Sequence, residues 1–514
     1  MTHSGEEVLV DRPAVPSAAG LRRERLLVGL FCLLAAVRVA IFTAGFPFFN
    51  SVDESLHFDL ICKYSHGELP HGLDRFCAEA APLIALYGSP EYFTRRQNLP
   101  SGKLDPPIWT LPAEDRARVQ QRYTDTWRGR PNYESIQMPF YYAVVGAWYN
   151  VGKLLGLHGG SLLYWTRLFN LPVYVLLVWL AYLFAKELLP TSKFVYLGVP
   201  FVLVFFPQDV FFGLNNDILS APTVTLTLYL LLRMYRSEAP RPGLAFSAGL
   251  AAAVAVLTKF ANAPIFVVLG IVACWKLGPA WWKKQPLVHL VPVLLLLTAA
   301  SVPVACWLAR NYLAFGDLMG FALNNQFKTW TPKPLSEYWS HPMFTPGGFL
   351  YFWSRLAITF WRGETYWFGD DLAAAGIDAF YFLWSTVFLL AFVIAGLANR
   401  GSNRAETRLA AGLCGPLFAL SVGILILISV SFDFGTSYYP SREKPFLPSG
   451  RLIMGSLVPF LIMFVGGLDV LLGWLRMRFA RVPLLIIMVN FMVTAEIAYS
   501  MQVFASQYNW FHLP

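Results

Sequence analysis

The sequence predicts an all-α protein that crosses a membrane many times, with about 11–13 helical spans and large loops after the first span and in the C-terminal half. Three observations carry that expectation. Of 514 residues, 56% are hydrophobic and only 14% are charged, whereas a soluble chain carries about 25% charge. The apolar residues fall in runs of roughly 20, enough for a helix to cross a hydrocarbon layer about 30 Å thick. Basic residues cluster at the ends of these runs. Helices are the expected form because they leave no backbone polar group unpaired against lipid.

The first run, near 26–46, follows the basic patch Arg22-Arg23-Glu24-Arg25. Its length and the lack of a small-residue cleavage site make it a retained span rather than a signal peptide. Further runs lie near 163–185, 194–212, 216–234, 242–257, 260–275, 287–309, 376–398, 409–430, 452–475 and 482–504. Among the few ionisable side chains inside them, Arg38, Arg167, Asp469 and Glu496 stand out. The basic clusters Arg233 to Arg241, Lys276 to Lys284, Arg400 to Arg408 and Arg476 to Arg481 mark cytoplasmic loops by the positive-inside rule. The net charge of +9 is thus spread along one face, with no aromatic-interleaved basic surface for nucleic acid. Counting the apolar segment 139–157 as a crossing would put 22–25 and 233–241 on opposite sides. That segment is therefore expected to be interfacial, re-entrant or half-inserted.

Two long polar stretches, 47–138 and 310–375, then fall on the outer face, joined by the shorter 431–451. The second holds seven Trp or Tyr between Trp330 and Tyr366. Cys62 and Cys77 share the first, in a compartment that permits disulfides; spacing leaves a bridge and two free thiols equally open.

Polar residues at span ends converge on the same outer face. Asp53, Glu54 and His57 follow the first span, and Asn215-Asn216-Asp217 stands between the third and fourth. Lys259 lies in a short hairpin, Arg310 follows the seventh span, and Arg451 precedes the tenth. Each has a plain structural alternative. Acids favour helix N-termini, Asn and Asp cap helices, and Lys or Arg reach to headgroups. The histidines His57, His66 and His71 match no metal-ligand spacing. Together, however, acids able to serve a hydroxyl as general base and cations able to hold a departing phosphate suit glycosyl transfer at a membrane surface.

Six stretches in chain order resemble the motifs of the GT-C superfamily of integral-membrane glycosyltransferases. The branch in question holds protein O-mannosyltransferases and the lipid A aminoarabinose transferase. "VDESLHFDLICKYSHGELP" (52–70) is similar to its P-D-E loop, with Val52 for proline, and "YESIQMPFYYAVVGAWY" (133–149) to its Q/H-P-P-L-Y-Y stretch, with Met138 for the first proline. "GLNNDILSAPTVTLTLYLLLR" (213–233), "GLAAAVAVLTKFANAP" (249–264), "ARNYLAFGDLMG" (309–320) and "PSGRLIMGSLVPFL" (448–461) resemble the N-x-D-x-L, A-x-L-T-K, R-N-x-x-x-Y-G-D-P and G-R-Y-x-x-P segments.

The resemblance implies a GT-C helical bundle that transfers a sugar from a polyprenyl-phosphate donor to a glycolipid, polysaccharide or protein acceptor. The site would face the periplasm from a bacterial inner membrane. It implies Asp53 as catalytic acid, Glu54 as its neighbour, Asp217 as the second acid and Lys259 as a contact of the lipid phosphate; Arg310, Arg451, His57 and Asn216 complete the expected substrate-binding set. A divalent metal assists some members, and nothing in this sequence demands one. The expected organisation is a cytoplasmic tail (1–25), a transmembrane catalytic module (26–309), an aromatic-rich outer loop (310–375) and a C-terminal transmembrane module (376–514). A ligase or polymerase acting on lipid-linked oligosaccharides and a transporter stay open as rival readings. Transporters usually place polar groups near the midplane in repeated halves, and no repeat is visible here.

Overall fold

A computed structural model describes residues 18–99, 103–283, 286–398 and 404–509. Residues 1–17 of the expected tail, with Lys284 and Arg400 of the basic clusters, lie outside the described residues. Helix α1 (Ala18–Gly45) opens the bundle, and the first polar stretch folds into α2 (Glu54–Ser65), α3 (Ala80–Tyr87) and α4 (Ala113–Gly129). Next come α5 (Phe140–Leu154), α6 (Gly159–Arg167), α7 (Asn170–Leu188) and α8 (Lys193–Val204). They are followed by α9 (Asp217–Arg236), α10 (Pro242–Thr258), α11 (Ile265–Lys283) and α12 (Leu290–Phe315). The second polar stretch carries α13 (Phe321–Phe327) and α14 (Pro346–Arg362), and α15 (Ala375–Ala398), α16 (Arg404–Ser431), α17 (Leu457–Trp474) and α18 (Arg481–Phe504) close the chain. The described strands are two-residue pieces: β1 (Thr331–Pro332) pairs antiparallel with β4 (Phe432–Asp433), and β2 (Tyr366–Trp367) with β3 (Asp370–Asp371).

Among the described residues nine helices are long and apolar enough to cross a membrane, and α8 and α10 are shorter apolar helices. Every expected run therefore has its helix, with one difference in extent. The run 194–212 is helical only to Val204, because Pro207 withholds a backbone donor and disfavours helix in the residue before it. Segment 139–157 is the 15-residue helix α5, which lies along α2 and buries Tyr141, Tyr142, Val145 and Tyr149. Its rise of about 22 Å falls short of a hydrocarbon core about 30 Å thick.

Small residues let the helices meet closely. A Cβ on Gly249 of α10 would stand 2.2 Å from the Leu296 carbonyl of α12, and one on Gly467 of α17 would stand 2.0 Å from that of Phe388 in α15. Helix α17 lies deepest, packed by α15, α16 and α8. The four ionisable side chains singled out in the apolar runs are all paired. Arg38 of α1 binds Glu496 of α18 (Nε–Oε2 3.2 Å), Asp469 meets Arg481 at 2.5 Å, and Arg167 meets Glu54 at 2.7 Å. Such pairing is what a charge at membrane depth requires.

Candidate active site

The turn between α1 and α2 decides what its two acids do. Asp53 holds the N-cap position of α2, with φ 62° and ψ 6° and no side-chain bond to the helix. A left-handed conformation is uncommon for a residue with a Cβ. Here the backbone carbonyl of Asp53 receives the amides of Leu56 and His57, while the side chain points elsewhere. Oδ1 accepts the Tyr133 hydroxyl at 2.5 Å and Oδ2 accepts Arg451 Nη2 at 2.5 Å. Asp53 thus stands at the N-cap position of α2 without its side chain capping the helix.

Glu54, its neighbour, faces inward. Its two oxygens take Arg167 Nε and Nη2, both at 2.7 Å, and the amides of Phe49 and Leu214 at 2.9 and 3.0 Å. The remaining Arg167 donors go to the carbonyls of Thr43, Phe46 and Pro47. This buried knot fastens the turn to α6 and to the chain ahead of α9.

The second acid opens α9. Asn215 Oδ1 accepts the Asp217 amide at 3.0 Å, and Asp217 Oδ1 pairs with Lys259 Nζ. Lys259 follows α10 in an extended conformation, which turns its ammonium toward α9. Asn216 Nδ2 donates to Gln137 Oε1 at 3.1 Å, and Gln137 Nε2 donates to Glu134 Oε2 at 2.5 Å. A continuous path of polar contacts and neighbouring residues thus runs from Lys259 and Asp217 through Asn216, Gln137, Glu134 and Tyr133 to Asp53 and Arg451. His57 Nδ1 contacts the Tyr142 hydroxyl at 2.7 Å, and its ring feels the charges of Asp53, Arg451, Lys259 and Asp217. Arg310 stands apart from this path, donating to the Pro70 carbonyl and lying over Trp307 and Phe315.

Electrostatics divides these groups. Burial works to raise the Asp53 carboxyl, but Arg451 and then Tyr133 hold it down at about 2. Burial lowers His57 to about 4, outweighing the attraction of Asp53. Glu134 moves up, through burial and then the charge of Asp53. Asp209, in the bend after α8, is pushed up to about 7 by burial and then by Glu364. Asp209 and Glu364 line a cavity with Asn50, Ser51, Tyr92 and Tyr366.

Three polar atoms of this cluster are buried with no protein partner among the described residues: Asp217 Oδ2, Asn216 Oδ1 and Arg451 Nε. Buried polar groups are normally satisfied, and these three atoms, from two elements, lie in one charged cluster. The donor set does not suit a metal. Asp53 and Asp217 are each tied to a cation, and no group of three or more His, Cys, Asp or Glu among the described residues gathers for one. Cys62 and Cys77 are free thiols in hydrogen-bond contact.

Sequence reasoning missed Tyr133, Glu134 and Gln137, although they stand in the quoted stretch 133–149; the signal was their polarity just before an apolar helix. It also missed Asp209 and Glu364, for which no local pattern exists.

Fold and cluster together define a multi-pass helical membrane protein whose charged residues gather where the large polar stretches meet the bundle. Residues 36–438 match the family described as "Predicted membrane protein (DUF2142)", and the chain belongs to that family. No curated protein sequence matches the chain. Among solved structures it is similar to ArnT from Cupriavidus metallidurans bound to undecaprenyl phosphate, at 13% identity and a TM-score of 0.45, over 95% of this chain and 76% of that one. It is also similar to the Archaeoglobus fulgidus oligosaccharyltransferase tethered with an acceptor peptide, at 12% identity and TM-score 0.40 over 92% of this chain. A third is arabinosyltransferase EmbB from Mycobacterium smegmatis, at 13% identity and TM-score 0.40 over 88% of this chain. The chain spans 55% of that oligosaccharyltransferase and 31% of that arabinosyltransferase.

Proposed function

We propose that this protein is a membrane glycosyltransferase, moving a sugar from a polyprenyl-phosphate-linked donor to a hydroxyl of a glycolipid, polysaccharide or protein at the outer face. The observation that carries this reading is the set of buried, unpartnered atoms Asp217 Oδ2, Asn216 Oδ1 and Arg451 Nε, in a cluster where acids and cations alternate. A sugar offers the hydroxyls that would satisfy them, and its phosphate link offers charge for the cations.

In this reaction the acceptor oxygen attacks the anomeric carbon as the bond from that carbon to the phosphate oxygen breaks, inverting the centre. The polyprenyl phosphate leaves with the bonding electrons. Asp53, ionised through the physiological range, receives the acceptor hydroxyl as a hydrogen-bond donor and takes its proton as the new bond forms. Its low pKa suits proton transfer late in the step, when the attacking oxygen has become acidic. Arg451 and Lys259 face the charge gathering on the phosphate. Asp217 and Asn216 hold the sugar. Glu54, occupied by Arg167, keeps the turn in shape. Aromatic side chains of the loops exclude the water that would hydrolyse the donor.

Asp53→Asn tests this reading. The variant should fold and insert as the parent does, yet lose transfer by at least about a hundredfold in a membrane assay with lipid-linked donors. Near-normal turnover would remove Asp53 from the chemistry.

A further inference from the structure

Around Asp53 the charges largely cancel. Arg451 is matched by Asp53 and Lys259 by Asp217, and Glu134 is pushed toward its neutral form by burial and by Asp53. Lys328, just after α13, adds a further positive charge. No carboxylate lies within ion-pair distance of it among the described residues. Its Nζ stands 4.9 Å from the ring centre of Tyr133 and 5.4 Å from that of Trp330. Tyr133 is the residue whose hydroxyl donates to Asp53.

This lysine differs from an ordinary surface lysine in how it is held. Phe327, one residue before it, stacks on Tyr133 at 5.8 Å. After it, Trp330 Nε1 donates to Ser437 Oγ at 2.9 Å and the Thr329 and Thr436 hydroxyls meet at 3.1 Å. Thr331 then pairs with Asp433 in the β1–β4 ladder. The backbone on both sides of Lys328 is thus held and its ammonium rests on two rings, so part of the rotamer entropy a lysine loses on binding is already spent in the fold. Two rings stabilise the ammonium but supply no lone pair, and no carboxylate among the described residues stands within ion-pair distance of it.

We infer that Lys328 is an oxyanion-binding residue of this site, taking a phosphate or carboxylate oxygen of the lipid-linked donor or of the acceptor beside Asp53. The inference rests on the glycosyl-transfer reading for the identity of the ligands, but its own content is where their negative charge is received. Lys259 and Arg451 each hold a carboxylate within ion-pair distance, whereas the charge of Lys328 reaches Glu134 only at longer range, so Lys328 is the cation best able to take up an additional anion.

The experiment compares the parent with Lys328→Met and Lys328→Arg in nanodiscs, each checked by thermal unfolding. Binding of undecaprenyl phosphate is measured against uncharged undecaprenol, and binding of glucose 6-phosphate against glucose. Lys328→Met should weaken one of the two phosphate probes by about tenfold or more and leave the uncharged partner unchanged, with Lys328→Arg close to the parent. Loss on the lipid probe assigns the anion to the donor, and loss on the soluble probe assigns it to the acceptor. A phosphate preference in the parent that survives Lys328→Met intact overturns this inference alone. A parent that prefers neither phosphate over its neutral counterpart overturns the inference and the donor chemistry proposed above.

Discussion

Adjacent acids at one turn have opposite fates, and the difference lies in their partners rather than in their own chemistry. Glu54 receives a bidentate arginine in a dry pocket, and breaking one side of a buried pair costs about 3–5 kcal/mol. Glu54→Gln should therefore lower the unfolding midpoint sharply in detergent, far more than Asp53→Asn, whose pair is more accessible. Equal midpoints would place the two acids in equivalent roles. Asp209 gives a pH signature. Its folded-state value near 7 lies above the ordinary 3.8, so the folded state holds the extra proton between those limits and stability falls as pH rises through them. Asp209→Asn should melt above the parent at pH 8 and level with it near pH 4; a constant offset would refute the assignment. Asp53, held down, acts in the other direction. Its contribution is present above pH 3.8 and lost only as pH falls through about 2. The sequence pointed to Asp53, Asp217 and Lys259 because acids and cations beside apolar runs are conspicuous. It could not separate Asp53 from Glu54 without the resemblance, because Arg167 lies 113 residues away.

At the scale of elements, hydropathy was sufficient to find the helices and insufficient to end them. Every apolar run carries a helix, because lipid tolerates no unpaired backbone. The break at Val204 follows from Pro207, a local signal that could have been used. The expectation for α5 rested on charge parity rather than on its composition, which suits a crossing equally well. Packing of these elements relies on absent side chains. Gly249→Leu forces a branched chain against the Leu296 carbonyl and should cost about 1–3 kcal/mol or more, seen as reduced folded yield. Gly270→Ala in α11, where nothing lies within 4 Å of the added carbon, serves as the matched control and should be near neutral. Loss of yield in both would point to a general intolerance of substitution rather than to the α10–α12 contact.

For the whole molecule, distant parts of the chain complete one another. The Asp53–Arg451 pair joins residues 398 positions apart, β1 meets β4 across the second and third polar stretches, and Ser506 beyond α18 hydrogen-bonds Glu91 in the first. None of these contacts has a sequence signature, because each pairs ordinary residues that only the folded bundle brings together. The Arg38–Glu496 ion pair spans 458 residues, and it has a consequence in time. A ribosome adds about 5–20 residues per second, so the guanidinium of the first helix is made roughly half a minute to a minute and a half before its carboxylate exists. Throughout that interval the nascent chain holds an uncompensated charge that lipid disfavours. Only once α18 has been made does that carboxylate exist, so any chain that stops before α18 keeps the charge of its first helix unpaired.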